Sequence, residues 1–474
     1  MKNKLKILLV LAFFGLITVS CSRESGDLNS GNNGEKESIQ LAISSLSPKT
    51  RGSVGEETAT AAEVAINSAA GLKVYVFNED GSLDYASPTV LALTETGSGT
   101  NVFTSEAFEV TAGNKYFFVF ANDPASGGKI SAPTATTTMS QFITQAVTTA
   151  NAGGALDIAV SNNFLLGTLW KEVKLAPAGG TASAPKTVNL TVGRLSAKVN
   201  LKAINYSTNN AELGGTFSDG KYRIGTLPYK INTAGLHEGA LIPAGNNGVM
   251  VTSYVHNAPA SIGTPPTVSF NTIDFIQYSA FQNVLGDGIS TFSSNSFYTT
   301  ENTSARDAVT GQLFFGNTSY IQIETIYTPS QVEVFDPATL ISNQPLGGTT
   351  FWTAVTVGNP TTPEGIAIGA GKRIITTNPS SVSLHPDLVP GSLREYSEGK
   401  NYHKFAIFDP NEEDDIMKFR VLRNHYYEFN VTNFTDLGSH ISEVDPTEPI
   451  PTTTTIDIQV TVKNWDKVSS DIEV

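Results

Sequence analysis

From Ile456 to Val462 the chain alternates without exception. Ile456, Ile458, Val460 and Val462 are apolar, and Asp457, Gln459, Thr461 and then Lys463 are polar. Strict alternation over eight residues specifies a strand with one buried face. At Asn464-Trp465-Asp466 the large ring falls out of phase, and the pattern resumes at Val468, Ile472 and Val474. The segment hangs on Asp445-Pro-Thr-Glu-Pro-Ile-Pro-Thr-Thr-Thr-Thr455, whose three prolines favour extended chain. A long apolar-faced strand at the end of a tether has two fates: it folds back on its own domain, or it pairs with another molecule.

The opposite end supplies an address. Met1-Lys-Asn-Lys-Leu-Lys6 is a basic start, and Leu8 to Val19 is an apolar run too short to span a bilayer. Together they predict a signal peptide over residues 1–20. The run ends Thr18-Val19-Ser20-Cys21, and Cys21 is the sole cysteine. A small residue before a lone cysteine here resembles a bacterial lipobox, although Thr18 stands where Leu is usual. The alternative is an ordinary signal peptide with an incidental cysteine. With no other thiol, a disulfide framework and a cysteine metal site are excluded. A formal net charge of −14 argues against nucleic acid and anionic lipid surfaces as partners.

Residues 22–37 have the composition of a tether. Ser38-Ile-Gln-Leu-Ala-Ile-Ser44 then alternates like the tail, with Ile39, Leu41 and Ile43 on one face. It runs into a Pro- and Gly-punctuated loop carrying Lys49 and Arg51, and no further Lys or Arg occurs before Lys73. Arg51-Gly52 is the accessible bond for a trypsin-like protease. Dense strand signals begin at Leu72–Phe77, continue loosely over 101–110, and include a near-continuous apolar run at Lys115–Ala121. A short helix is expected within 140–149. Alternation returns at 188–192 and 195–201, then at 320–327, 365–368, 419–422 and 426–431, with Arg423-Asn-His425 as a turn. Short strands at close spacing, without a 20–50-residue repeat, predict an all-β chain of two antiparallel sandwiches. The expected domains are 52–186 and 187–444, preceded by a propeptide at 21–51 and followed by linker and strand at 445–474.

With these residues in view the chain resembles the Bacteroidetes fimbrillins, shaft subunits of surface fimbriae, and is more similar to their short-fimbria branch than to the long-fimbria one. The resemblance is carried by Cys21, by the strand before Arg51-Gly52, and by Gly71–Phe77, Gly113–Asn122 and Val192–Val199. Val421–Val431 and Ile458–Trp465 are its most specific parts, and 205–317 lies outside it. It implies two transthyretin-like sandwiches, export to the outer membrane as a lipoprotein acylated at Cys21, and cleavage after Arg51 by a trypsin-like protease. It further implies polymerisation through the C-terminus, with other copies, an anchor and a tip protein as partners in an adhesive extracellular fimbrium.

Elementary physics is consistent with that expectation. Two strands of matching pattern compete for one groove, and the covalently attached one holds it at an effective concentration of roughly mM or more. Cutting at Arg51 makes Ile39, Leu41 and Ile43 part of a separable peptide. The vacated groove exposes unpaired backbone groups. A neighbour's Ile456, Ile458, Val460, Val462, Trp465, Val468, Ile472 and Val474 then form the donor strand, by β-augmentation. Nineteen residues span roughly 60 Å at about 3.3 Å each, more than one sandwich needs.

Catalysis and cofactors are not indicated. His237, His256, His385, His403, His425 and His440 form no HExxH or HxH pattern. Gly369-Ala-Gly-Lys372 lacks the earlier glycine of a phosphate loop, and no GxSxG elbow occurs. Asp409-Pro-Asn-Glu-Glu-Asp-Asp415 spaces oxygens as calcium loops do but lacks their central Gly and distal Glu, and reads first as a solvated acidic turn. Two alternatives to a polymerising subunit stay open: a lipid-retained anchor or tip component of the same fold, and a surface glycan-binding lipoprotein.

Overall fold

A computed structural model of the chain describes residues 34–45, 61–97, 102–123, 128–149, 156–160, 163–168, 171–175, 181–210, 213–228, 230–233, 275–276, 282–283, 297–302, 312–330, 332–336, 339–344, 350–355, 373–377, 392–412 and 418–464. Both terminal alternating segments are strands. The first is β1, Lys36–Ser45, with the burial pattern its sequence dictates: Ile39, Leu41 and Ile43 are wholly buried.

Around β1 the first sandwich assembles from β2 (Leu72–Asn78), β3 (Leu83–Ala86), β4 (Leu93–Glu95), β5 (Val102–Ser105), β6 (Phe108–Thr111) and β7 (Gly113–Ala121), then β8 (Leu166–Thr168), β9 (Lys171–Leu175) and β10 (Lys186–Arg194). Its hydrogen-bonded order is β3-β2-β7-β8-β10-β1-β5-β4, with β6 beside β1 and β9 beside β7. The path curls on itself. Val74, Val76, Phe117 and Val119 from β2 and β7 pack in one cluster with Ile39, Leu41 and Ile43 of β1 and Val188, Leu190 and Val192 of β10. The unbroken apolar run in β7 is explained by its second face. Tyr116, Phe118 and Phe120 pack there with Tyr75, Phe77 and the helix Met139–Ile143. That helix carries a Thr138/Gln141 capping box. Its Phe142 ring lies 5.1–5.4 Å from Tyr75, Phe77 and Phe118.

The chain enters the second sandwich at Leu195. β10 flanks β1, whereas β11 (Ser196–Ile204), one residue later, pairs in a different sheet. The sheet change therefore falls downstream of 186/187, because the alternating segment 186–194 is a side wall of the first sandwich. β12 (Gly215–Gly225), β13 (Phe297–Thr300), β14 (Tyr320–Pro329), β15 (Lys400–Ala406), β16 (His425–Phe434) and β17 (Ile456–Asn464) follow. One sheet runs β13-β11-β16-β17; the other places β14 between β12 and β15, with Gln282–Asn283 at its edge. Val199, Leu201, Phe429 and Val431 face Phe217, Ile224, Ile321 and Phe405 across the core.

Two features differ from the sequence reading. Among the described strands each sandwich contains one parallel pairing, β1 with β10 and β11 with β16, within otherwise antiparallel sheets. Residues 419–422 do not form a strand; Val421 makes only an isolated bridge to Asn302. Residues 365–368 lie outside the described residues.

Candidate assembly site

β1 is bordered on both sides. Along one edge it runs parallel to β10 in the register Ile39–Lys186, Leu41–Val188, Ile43–Leu190. Along the other it runs antiparallel to β6 and then β5. Between those two strands, where Glu106 and Ala107 interrupt the ladder, the Ser105 hydroxyl accepts the Leu41 N–H at 3.0 Å. The break therefore leaves no buried donor unpaired at Leu41. Side chains add to the ladder: Gln40 Nε2 donates to Thr187 Oγ1 at 3.0 Å, and Lys186 pairs with the buried Glu37 at 3.2 Å. Burying three large aliphatic side chains contributes about 1.5–3 kcal/mol each. β1 is thus an interior strand whose departure would leave a two-sided slot.

β17 is held differently. Among the described residues it pairs on one side only, antiparallel to β16, from Phe434–Ile456 to His425–Asn464. Ile456 is buried, but Ile458, Val460 and Val462 are half-buried. A cavity of about 440 Å³ opens beside its first residues, bounded by Phe405, Phe408, Phe419, Ile450 and Ile458. The tether joins the strand at Thr455, whose carbonyl accepts N–H groups of Thr435 and Asp436 at 3.0 and 3.2 Å. Thr455 Oγ1 also meets His403 Nδ1 at 2.8 Å. His403 is buried against Phe217 and Phe434, and burial pulls its pKa down to about 3.

A buried polar junction ties the short helix that precedes β2 to both sandwiches. In the short helix α1 (Ala61–Val64), Val64 packs in the same cluster as Ile39, Leu41 and Ile43. Its neighbour Glu63 accepts from Lys198 Nζ at 2.7 Å and Tyr298 OH at 2.6 Å, both in the second sandwich. Its carbonyl takes Arg194 Nε at 2.8 Å. Arg194 Nη1 and N–H also donate to Asn424 Oδ1, at 3.2 and 3.1 Å. Asn424 adopts φ 59°, a left-handed turn conformation that Asn tolerates, and its N–H donates to Ser196. This fixes the turn that starts β16. Nearby, Arg423 forms a two-pronged pair with the buried Glu301, at 2.8 and 2.6 Å.

The structure thus gathers Ile39, Leu41 and Ile43 in one slot and sets Ile456, Ile458, Val460 and Val462 on an edge of the other sandwich. Cys21, Arg51, Gly52, Trp465, Val468, Ile472 and Val474 lie outside the described residues. In the acidic turn, Asp409 Oδ1 accepts from the Asn411 backbone and side chain at 2.9 and 3.0 Å. Among the described residues no group of three or more His, Cys, Asp or Glu is placed to hold a metal ion. Ser105, Thr187, Glu63 and Lys198 were not singled out by sequence. Only Ser105 carries a signal, standing at the irregularity in the 101–110 alternation.

Two family profiles match this chain. One, described as major fimbrial subunit protein (FimA), matches residues 38–213, and the other, described as major fimbrial subunit protein type IV, Fimbrillin, C-terminal, matches 394–471. The chain belongs to the fimbrillin family. The matched segments include both halves of the site in this fimbrillin: the first covers β1 from Ser38 and both its walls, the second β15, β16 and β17. Fimbrillins are structural subunits of cell-surface fimbriae, not enzymes. Among solved structures, a candidate cell adhesion protein from Parabacteroides distasonis ATCC 8503 is 15% identical, with TM-score 0.46 over 91% of this chain and 99% of that one. A fimbrilin (FimA) from Porphyromonas gingivalis W83 is 13% identical, with TM-score 0.43 over 92% and 99%. The tip fimbrial protein Mfa3 from Porphyromonas gingivalis, with C-terminal truncation, is 14% identical, with TM-score 0.35 over 90% and 100%. Curated protein sequences gave no match.

Proposed function

We propose that this fimbrillin is a polymerising shaft subunit, exported as a lipoprotein acylated at Cys21 and cut between Arg51 and Gly52. Its tail then fills the slot that β1 leaves in a neighbouring copy. One contrast carries the reading. β1 is clasped by ladders on both sides with Ile39, Leu41 and Ile43 wholly buried, while β17 has, among the described residues, one ladder and three half-buried apolar side chains. A tail that moves from an open edge to an interior slot gains a second ladder and the remaining burial. Before cleavage, tethering keeps β1 in place. After cleavage β1 is free to dissociate, and the empty slot templates a new strand. Because slot and tail are different surfaces, each joint leaves one of each free, and the assembly propagates as a filament.

N-terminal sequencing of filaments shed from cells tests this reading. A start at Gly52 supports it; an acylated Cys21 on the bulk filament subunit overturns it in favour of a lipid-retained anchor.

A further inference from the structure

In the donor-strand reading of this fimbrillin the tail occupies the slot of β1. Resting on that reading, we infer that Gln459 takes the place of Gln40, so that the tail lies parallel to β10 with Ile458, Val460 and Val462 in the positions of Ile39, Leu41 and Ile43.

The two segments match in order. Ile39-Gln-Leu-Ala-Ile43 and Ile458-Gln-Val-Thr-Val462 share an initial Ile-Gln and place aliphatic residues at the same alternate positions. At the centre of β1, Gln40 Nε2 donates to Thr187 Oγ1 of the parallel wall at 3.0 Å. Within the tail, Gln459 brings an amide of that length between two aliphatic residues, Ile458 and Val460. No proline interrupts 456–464, so every N–H that β1 uses is present, including the one that Ser105 accepts from Leu41.

Slipping by two residues is penalised at the ends of the slot. Moved one way, Asn464 enters the wholly buried position of Ile43, where a carboxamide loses its hydration. Moved the other way, apolar Val462 replaces the polar Ser45, and Asp457 faces Thr187 in place of the glutamine. In the inferred register Ser45 is replaced by polar Asn464. Ile456 replaces Glu37, and Lys186, itself 28% exposed, turns its ammonium to solvent.

Engineered cysteines test the register. The processed chain, starting at Gly52, contains no thiol of its own. Thr187 and Asn189 oppose Gln40 and Ala42 in β1, and both point outward. In filaments of chains carrying Thr187→Cys with Gln459→Cys, or Asn189→Cys with Thr461→Cys, oxidation should join neighbouring subunits into ladders in denaturing gels. Adjacent strands put Cα atoms within disulfide reach at these pairs alone. Efficient linking of Thr187→Cys with Asp457→Cys or Thr461→Cys instead overturns the register. Linking of Asn189→Cys with Asp457→Cys overturns the direction. Filaments in which none of these pairs links also overturn the register. If deletion of 456–474 still abolishes those filaments, the donor-strand reading stands without this register; if it does not, that reading falls too.

Discussion

Glu63 and Lys198 form a buried ion pair, 2.7 Å between Oε1 and Nζ, that joins the short helix Ala61–Val64 to the second sandwich. Both side chains are at most 3% exposed. Burial pulls the Lys198 pKa down, and the adjacent Glu63 carboxylate works against that shift. A buried pair of this kind adds little over apolar packing, but removing one member strands the other. Glu63→Ala should lower the unfolding free energy by about 3–5 kcal/mol. Glu63→Gln with Lys198→Met should recover most of that loss. Denaturant unfolding of the two variants beside the parent checks both expectations.

Leu41→Ala deletes a wholly buried side chain from β1. In the uncut chain it should cost about 2–5 kcal/mol. In the processed chain, once the leader peptide has dissociated, the same substitution has no residue to act on. Stability should therefore fall before trypsin treatment and be unchanged once the peptide is removed. A variant as stable as the parent in the uncut form would show that the slot does not depend on this side chain.

Arg51→Ala should leave export and acylation intact and prevent polymerisation, because β1 stays tethered beside its slot. Electron microscopy of the variant's surface should find no filaments containing it. Filaments in normal number would remove cleavage from the mechanism.

Deleting 456–474 removes an edge strand with a single ladder. The chain should still fold, with β16 as the new edge, and should accept a tail without donating one. Added to parent subunits, it should shorten filaments in proportion to its mole fraction, measured by filament length distribution. Continued self-polymerisation would locate the joint elsewhere.

His403, bonded to Thr455 just before β17, gives folding a pH dependence. Its pKa is about 3 in the folded chain against 6.5 when unperturbed. The unfolded state therefore binds more protons between those values, and stability rises with pH across that window. The contribution is complete above about pH 6.5 and is lost progressively as pH falls towards 3. A shift this large corresponds to a few kcal/mol. His403→Phe should flatten the dependence of the unfolding midpoint between pH 6.5 and 4, while parent protein loses stability across it.

The strands β1, β7 and β17 were legible because each has a period its burial enforces. Ile39, Leu41 and Ile43 alternate since one face of β1 is core, and β7 reads apolar throughout since aromatic clusters cover both faces. The helix at Met139–Ile143 was anticipated within 140–149 but placed a little late, since its start is set by the Thr138 cap rather than by periodicity. Two parallel pairings were not legible. Strand periodicity is two whichever way the neighbour runs, so direction is settled only when the fold brings distant strands together.

What the sequence determined by itself is the pair of alternating segments of matching pattern and the short basic loop, with Lys49 and Arg51, between the first of them and the rest of the chain. Local alternation and side-chain type suffice for that. Tertiary structure decided which segment is interior and which is an edge. It also decided that Glu63, Lys198, Tyr298, Arg194 and Asn424, spread over some 360 positions of sequence, meet in one buried junction. Such contacts depend on where strands far apart in the chain are stacked, and no local pattern encodes that.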